Sequence, residues 1–519
     1  MESSAFRPSR RAVLGLGGAA IGAALLGTTG CGGSSEKNDN GKAGTLRIGQ
    51  FPTGNSLDPW KTHKAPMVGF ATYDTLTHLK SDGTVEPWLA TSWKYTDATT
   101  FVMDLRTDVV FTDGTRFDAA AVKANIEYGK AAQPSNFLAK PYLDYVRSVD
   151  VVSASRVRFN LASPEPDLAL GFSWQASLMV SPAVLKKPNA LADSAVGSGP
   201  YVLDTKATTP NQTYVLTQNP NYWAADKWPR FEKLVVELMA DSTAAVNAAR
   251  SGQVDYLWEV ASDTQISGWK ITSGSATSFS GLAIFDVAGK ISAPLGDVRV
   301  RQAMNYAIDR KAFLKGVLDG QGAINASTPF GPGSLGYRKE IEGHYTYDVA
   351  KAKQLLAQAG YPKGFSVDVL NNPQWDKKAQ ALAGYLRAVG IDVKLKNHGD
   401  DFVQQSTSGK WAMGMSLQSL SGLPFTDFTT TMTPKSSMNP RHNGDPKVND
   451  LLARAVAAQG DQQKQLYVQL AEYAAQQAWF VVPALGSQLH AHNPEVVNLV
   501  EPKRGGGPLL YHILPAGTA

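Results

Sequence analysis

Few residue patterns in this chain could carry covalent or metal chemistry. Ser267-Gly268-Trp269-Lys270 places a hydroxyl three residues before an amine, the spacing of a serine nucleophile with a lysine base. Ser437-Met438-Asn439 could supply a second element of such a site, but no Lys-Thr/Ser-Gly segment follows to complete it. There is also no Gly-x-Ser-x-Gly elbow, no His-Glu-x-x-His zinc helix and no Gly-Lys-Ser/Thr phosphate loop. His490-Ala491-His492 would put two imidazoles on one face of a strand, but no third ligand stands near in sequence, so a surface or hinge role is the better reading. The chain therefore lacks the residues of a complete catalytic centre, and no metal or cofactor is expected.

The single cysteine, Cys31, has no partner for a disulfide. Ahead of it, Arg10 and Arg11 open a segment without charge that runs to Leu26, a basic region and then an apolar one. The paired arginines resemble a twin-arginine export signal. Gly27-Thr28-Thr29-Gly30-Cys31 resembles a bacterial lipobox, with Thr28 where that motif usually has Leu. Residues 1–30 then read as a signal peptide. Residues 31–44 read as a lipidated cysteine and a flexible tether of Gly, Ser, Asn and charged residues with nothing to bury. The expected location is extracytoplasmic, anchored by lipid to the outer face of the cell membrane.

Chemistry-poor residues still need elements to position them. The chain has 519 residues, too many for one hydrophobic core, and 43% hydrophobic with 18% charged residues describes a globular body. Its net charge of +5 includes +2 from residues 1–30, and no basic stripe follows, so nucleic acid is not a partner. Apolar residues alternate in Leu46 and Ile48, in Phe101, Met103 and Leu105, and in Val157, Phe159 and Leu161, which predicts strands. Asp118 is placed to cap a helix to Lys130. Farther on, Asp348 can cap a helix carrying Ala352, Leu355, Leu356 and Ala359, with Gly360 as the stop. A strand with Phe365, Val367 and Val369, a helix through Leu382, Tyr385, Leu386 and Val389, and a strand with Ile391, Val393 and Leu395 make a βαβ unit with parallel strands. A helix over Asp461 to Trp479 should run into an apolar strand, Phe480 to Leu485. The body is α/β with at least two lobes.

Several segments recur in a telling order: Leu57-Asp58-Pro59, Tyr73-Asp74-Thr75-Leu76, Val85-Glu86-Pro87-Trp88-Leu89-Ala90, Val110-Phe111-Thr112-Asp113-Gly114-Thr115, Gly197-Ser198-Gly199-Pro200-Tyr201, Asn219-Pro220-Asn221-Tyr222-Trp223, Gly252-Gln253-Val254-Asp255, and Asp297-Val298-Arg299-Val300-Arg301-Gln302-Ala303-Met304-Asn305-Tyr306. Spread over about residues 45–500, they resemble the peptide/nickel-type, family 5 solute-binding proteins of ABC transporters. That resemblance implies a two-lobed periplasmic-binding-protein fold (type II-like, large cluster) with an inserted third small domain. It would place lobe I at 45–75, 200–285 and 490–519, the inserted domain at 76–199, and lobe II at 286–489. It also implies a monomer that encloses a small peptide-like or other organic solute at the hinge and passes it to a membrane permease. Gly114 and Gly199 are expected at tight turns, and Arg299 and Arg301 in the scaffold.

The family's ligand loop, an aromatic-Asp pair, a Trp and then Asp-x-x-Asp/Glu-Pro, aligns with Trp411 to Pro424. Anchored on Pro424, the acid that grips a peptide's α-amine becomes Leu420, and Leu417 takes the Trp position. An ammonium buried there would lack a counter-charge, so the implied ligand has no free α-amine in that grip. The expected ligand-binding residues are Trp411, Met413, Met415, Ser419, Leu420 and Ser421, with Asn55, Asp58 and Trp60 facing them from lobe I and Phe285 and Asp286 near the hinge. Any cationic part of the solute would lie near Asp58 or Asp286. Two other readings remain: an exported serine hydrolase of the penicillin-recognising type, on the Ser267/Lys270 pattern, and a surface receptor for a peptide signal on the same fold.

Overall fold

The computed structural model describes residues 43–518 apart from 53–55, 62–64, 133–138, 229, 263, 333, 400, 435, 437 and 502–509. Cys31, Asn55 and Ser437 lie outside the described residues. The helix starts follow the aspartates as read. Asp118 accepts from the Ala121 N–H ahead of Ala119–Ala131, and Asp348 from the Lys351 N–H ahead of Val349–Gln358. Asp309 does the same for Arg310–Val317. Each satisfies one of the donors that a helix leaves unpaired at its first turn.

Strands Phe365–Asn371 and Ile391–Asn397 pair in parallel, with helix Asp376–Arg387 between them in sequence. The apolar run after helix Gly460–Gln477 does not form one strand. It breaks at Pro483 into Phe480–Val481 and Ala484–His492, because proline has no N–H to give a ladder.

One mixed sheet runs through the molecule. Its strands follow the order Ile391–Asn397, Phe365–Asn371, Met413–Ser419, Lys270–Ile284, Ala484–His492, Tyr256–Leu257, Ala43–Gln50, Phe231–Leu238, Thr213–Gln218 and Tyr201–Leu203. A separate antiparallel sheet, Ala90–Asp97, Thr100–Leu105, Arg156–Leu161 and Val146–Ser153, lies within 76–199. Apolar burial divides the body in two. One large core gathers residues between Leu46 and Tyr256 with Val497, Leu510 and Ile513, while two others cover the sheet between Phe279 and Leu485. These are the two lobes of an α/β fold.

Four of the segments that carry the family resemblance meet at one buried carboxylate. Asp74 Oδ1 accepts from Trp88 Nε1 (2.9 Å) and Tyr222 Oη (3.0 Å). Its Oδ2 accepts from Ser198 Oγ (2.9 Å) and Trp223 Nε1 (2.9 Å). Segments more than a hundred residues apart are thus tied by one side chain that burial alone would disfavour.

Gly114 adopts a positive φ of 83°, as its turn requires. Gly199 does not. It is glycine because a Cβ there would lie 2.6 Å from Thr72 C and 2.8 Å from Ala71 O, so close backbone approach replaces turn geometry as the reason. Arg301 is buried and donates to the carbonyls of Leu295, Gly296 and Gln477, which places it in the scaffold.

Candidate functional site

Two antiparallel strands, Lys270–Ile284 and Ala484–His492, pass from one lobe to the other. At the lobe I end His492 pairs with Tyr256, and Tyr256–Leu257 pairs with Ala43–Gln50. At the lobe II end Ile284 pairs with Met413, and Leu282 with Val481. Register shifts at Ser273/Ala276 and Ala276/Ser278 interrupt the ladder midway. Such bulges bend a strand and redirect its side chains, so the connection between the lobes is irregular near its middle.

The expected ligand residues fall into separate groups. Met413 and Met415 are buried in the core that holds Leu282, Val369 and Val481. Phe285 and Leu420 share an apolar cluster with Phe279, Phe330, Phe425 and Phe428, and Leu420 is 3% exposed. The Leu420 N–H donates to Thr277 O at 2.8 Å, tying the loop to the hinge strand. Ser419 is exposed opposite Ser278. The Ser421 N–H and hydroxyl both donate to Asp427 Oδ1, at 2.6 and 2.9 Å, and the Gly422 N–H donates to Oδ2 at 2.9 Å. Asp427 is thus the acid of this loop, and burial pushes its carboxyl up to about 7 against those three donors. Across the loop, Asp167 of segment 76–199 accepts from the Thr426 hydroxyl at 3.0 Å and from its N–H at 3.3 Å.

Trp411 is half-buried, donating to Gln405 Oε1 at 3.3 Å, and lines a groove of about 550 Å³ with Ile291, Ser366, Asp368 and Lys394. Asp286 is fully buried and accepts from the N–H groups of Lys290, Ile291 and Ser292. Asp58 is equally buried. It accepts from the Trp60 N–H and the Tyr128 hydroxyl, with Lys61 at 3.7 Å. Trp60 packs in the first lobe's core, its indole N–H donating to Asn125 Oδ1 at 3.2 Å. The structure therefore packs Met413 and Met415 in one core and Phe285 and Leu420 in another, ties Asp286 and Ser421 to groups a few residues away, and holds Asp58 and Trp60 in the core of the other lobe, so the expected residues do not form one group.

The chemical alternatives have no supporting geometry. Ser267 is exposed and is followed by Gly268 at φ 78°, before the strand that begins at Lys270. Among the described residues, no group of three or more His, Cys, Asp or Glu is disposed to hold a metal ion. His490 and His492 do share a face, and both are buried. Burial drives His490 down to about 4 and also lowers His492, so both imidazoles are neutral at physiological pH. His490 Nδ1 is bonded to the Tyr256 hydroxyl at 3.0 Å. Sequence reasoning missed Glu501, which lies over the same hinge strands and close to His490. Nothing in sequence marks it, because its neighbours come from residues 256, 274 and 490.

A two-lobed α/β body joined by paired strands is the architecture of the periplasmic-binding class of folds. Residues 84–440 match the sequence pattern of "Bacterial extracellular solute-binding proteins, family 5 Middle", and the chain belongs to that family. It is 28% identical to the heme-binding protein A of Haemophilus influenzae over 62% of this chain and 63% of that protein, less than two thirds of its length. It is also 28% identical to the glutathione-binding protein GsiB of Escherichia coli K12, over 66% of this chain and 67% of that protein. Among solved structures, the fold is similar to the ABC transporter-associated periplasmic binding protein DppA of Helicobacter pylori in complex with the peptide STSA. That comparison has a TM-score of 0.74 and 21% identity, covering 91% of this chain and 98% of DppA. The relatives are binding proteins, and this chain is a binding protein rather than an enzyme.

Proposed function

We propose that this chain is the membrane-anchored, extracytoplasmic capture component of an ABC importer. In this reading it binds one small organic solute between its lobes as a monomer and delivers it to a permease. The observation that carries the reading is the pair of irregular hinge strands joining two separately packed lobes, the arrangement that lets a protein close around a ligand. We assign lobe I to 45–75, 200–285 and 490–519, the inserted domain to 76–199 and lobe II to 286–489. The separate four-stranded sheet within 76–199 supports that partition. Within residues 411–427, Met413, Met415 and Leu420 are packed inward and the Ser421 hydroxyl is engaged by Asp427. That acid is occupied by loop donors, which supports a solute without a free α-amine gripped there. The relatives are named for heme and glutathione, so no single ligand carries over from them. Scattering on ligand-free protein, before and after its co-purifying solute is returned, tests the capture reading.

Anchoring rests on Cys31. No helix among the described residues is long and apolar enough to cross a membrane. If Cys31 carries the lipid, Cys31→Ala releases the protein from the membrane fraction into the medium, because residues 32–44 contain no apolar run to hold it. Retention of the variant in the membrane pellet contradicts lipidation.

A further inference from the structure

Four buried polar atoms at the lobe I end of the hinge have no hydrogen-bond partner: His490 Nε2, His492 Nδ1 and both oxygens of Glu501. Native proteins rarely leave such atoms unpaired, and a carboxylate with both oxygens orphaned is an expensive case. Two of them border one space. A methyl group built on Gly274 would lie 3.3 Å from Gln488 O, 3.4 Å from Glu501 Oε2 and 3.9 Å from His490 Nε2. Gly274 is buried within the hinge strand and has no positive φ, so its backbone does not require glycine. What glycine provides there is the absence of a side chain that would press on those three atoms. The space has rigid walls: His490 is 0% exposed, its ring stacks with Tyr256 at 6.1 Å, and Trp258 meets it edge-on at 6.0 Å.

We propose that Glu501, with His490 beside it and the gap over Gly274 between them, grips a cationic nitrogen of the captured solute, an ammonium or guanidinium bearing at least two N–H groups. The assignment rests on reading the chain as a solute-capture protein and narrows the class of its ligand. A carboxylate can only accept, and two free oxygens match the paired donors of a guanidinium or the three of an ammonium. The neutral imidazoles add no repulsion. A quaternary ammonium has no N–H to donate, and an anionic solute would meet a like charge. Asp58 and Asp286 cannot serve in the same way: Asp58 already accepts from the Trp60 N–H and the Tyr128 hydroxyl, and Asp286 from three backbone N–H groups.

The unpaired burial has a consequence for protons. Desolvation holds the Glu501 carboxyl up at about 7, so near neutrality the empty site carries part of its proton. Docking a cation favours the ionised form, so binding near neutrality releases protons and weakens as pH falls through about 7.

Titration calorimetry on the full-length protein tests this, with agmatine, L-argininamide and n-butylammonium as probes and tetramethylammonium as the control. Running each in two pH 7 buffers of different ionisation enthalpy reads proton release. At least one N–H cation should bind saturably with proton release, and tetramethylammonium should give no saturable heat. Glu501→Gln should weaken binding about tenfold or more and abolish proton release. Gly274→Ala should weaken it as well by filling the gap, with no change of charge. E501Q removes an unpaired acid and should melt no lower than the parent; if it fails to fold, G274A decides. Absence of saturable binding by all three N–H probes, or binding that neither variant alters, overturns the assignment. A neutral co-purifying solute that binds E501Q as tightly as the parent also overturns it, while leaving solute capture standing.

Discussion

Leu420→Asp should destabilise lobe II by about 4 kcal/mol or more, the loss of a buried leucine plus the burial of a carboxyl without partners. The side chain is 3% exposed among Phe279, Phe285, Phe425 and Phe428, so a carboxyl there meets apolar carbon rather than solvent or ligand. The sequence alignment put Leu420 where peptide binders hold the acid for the α-amine. In that position alone the substitution would cost only ligand affinity, and could add affinity for dipeptides. Urea unfolding separates the outcomes. The midpoint should fall sharply for Leu420→Asp and little for Leu420→Met, which keeps volume and costs less than about 1.5 kcal/mol. Unchanged stability with new dipeptide binding would show that residue 420 faces the cleft.

Asp74→Ala should be the most damaging single change in lobe I. It would leave Trp88 Nε1, Tyr222 Oη, Trp223 Nε1 and Ser198 Oγ without their acceptor inside a packed core. One buried polar group stripped of its partner costs about 1–3 kcal/mol, so four sharing one acceptor should lose roughly 4 kcal/mol or more in total. Asp74→Asn should fall between, because one of its two polar atoms becomes a donor facing donors. Denaturant midpoints in the order parent, Asn, Ala are the expected result. An alanine variant within about 1 kcal/mol of the parent would mean the network relaxes around the gap.

Much of the fold could be read in the sequence because its signals are local. Asp118, Asp309 and Asp348 cap helices through their own neighbours, and the period of Val367, Val369, Ile391 and Val393 determines which strand faces are buried. Even the order of the segments that carry the resemblance held information, since Asp74, Trp88, Ser198, Tyr222 and Trp223 are one hydrogen-bonded unit. The long hinge strand Lys270–Ile284 was not legible. Its run of Ser, Thr, Gly and Ala has weak periodicity, and it is held as a strand by partners from residues 413–419 and 484–492. The candidate site was legible only as a location. The sequence reading offered Asp58 and Asp286 as partners for a cationic part of the solute, but the Trp60 N–H and Tyr128 hydroxyl occupy the first and three backbone N–H groups the second, which no spacing rule distinguishes. Glu501 was invisible for the opposite reason: what sets it apart is the lack of a partner in three dimensions.

The central claim, capture of a solute by closure of two lobes about the strands Lys270–Ile284 and Ala484–His492, is tested most directly by small-angle X-ray scattering. Protein stripped of ligand is compared with the same protein after its co-purifying solute is returned at saturation. A smaller radius of gyration on return of the solute is the predicted result. An unchanged profile at confirmed saturation would contradict it.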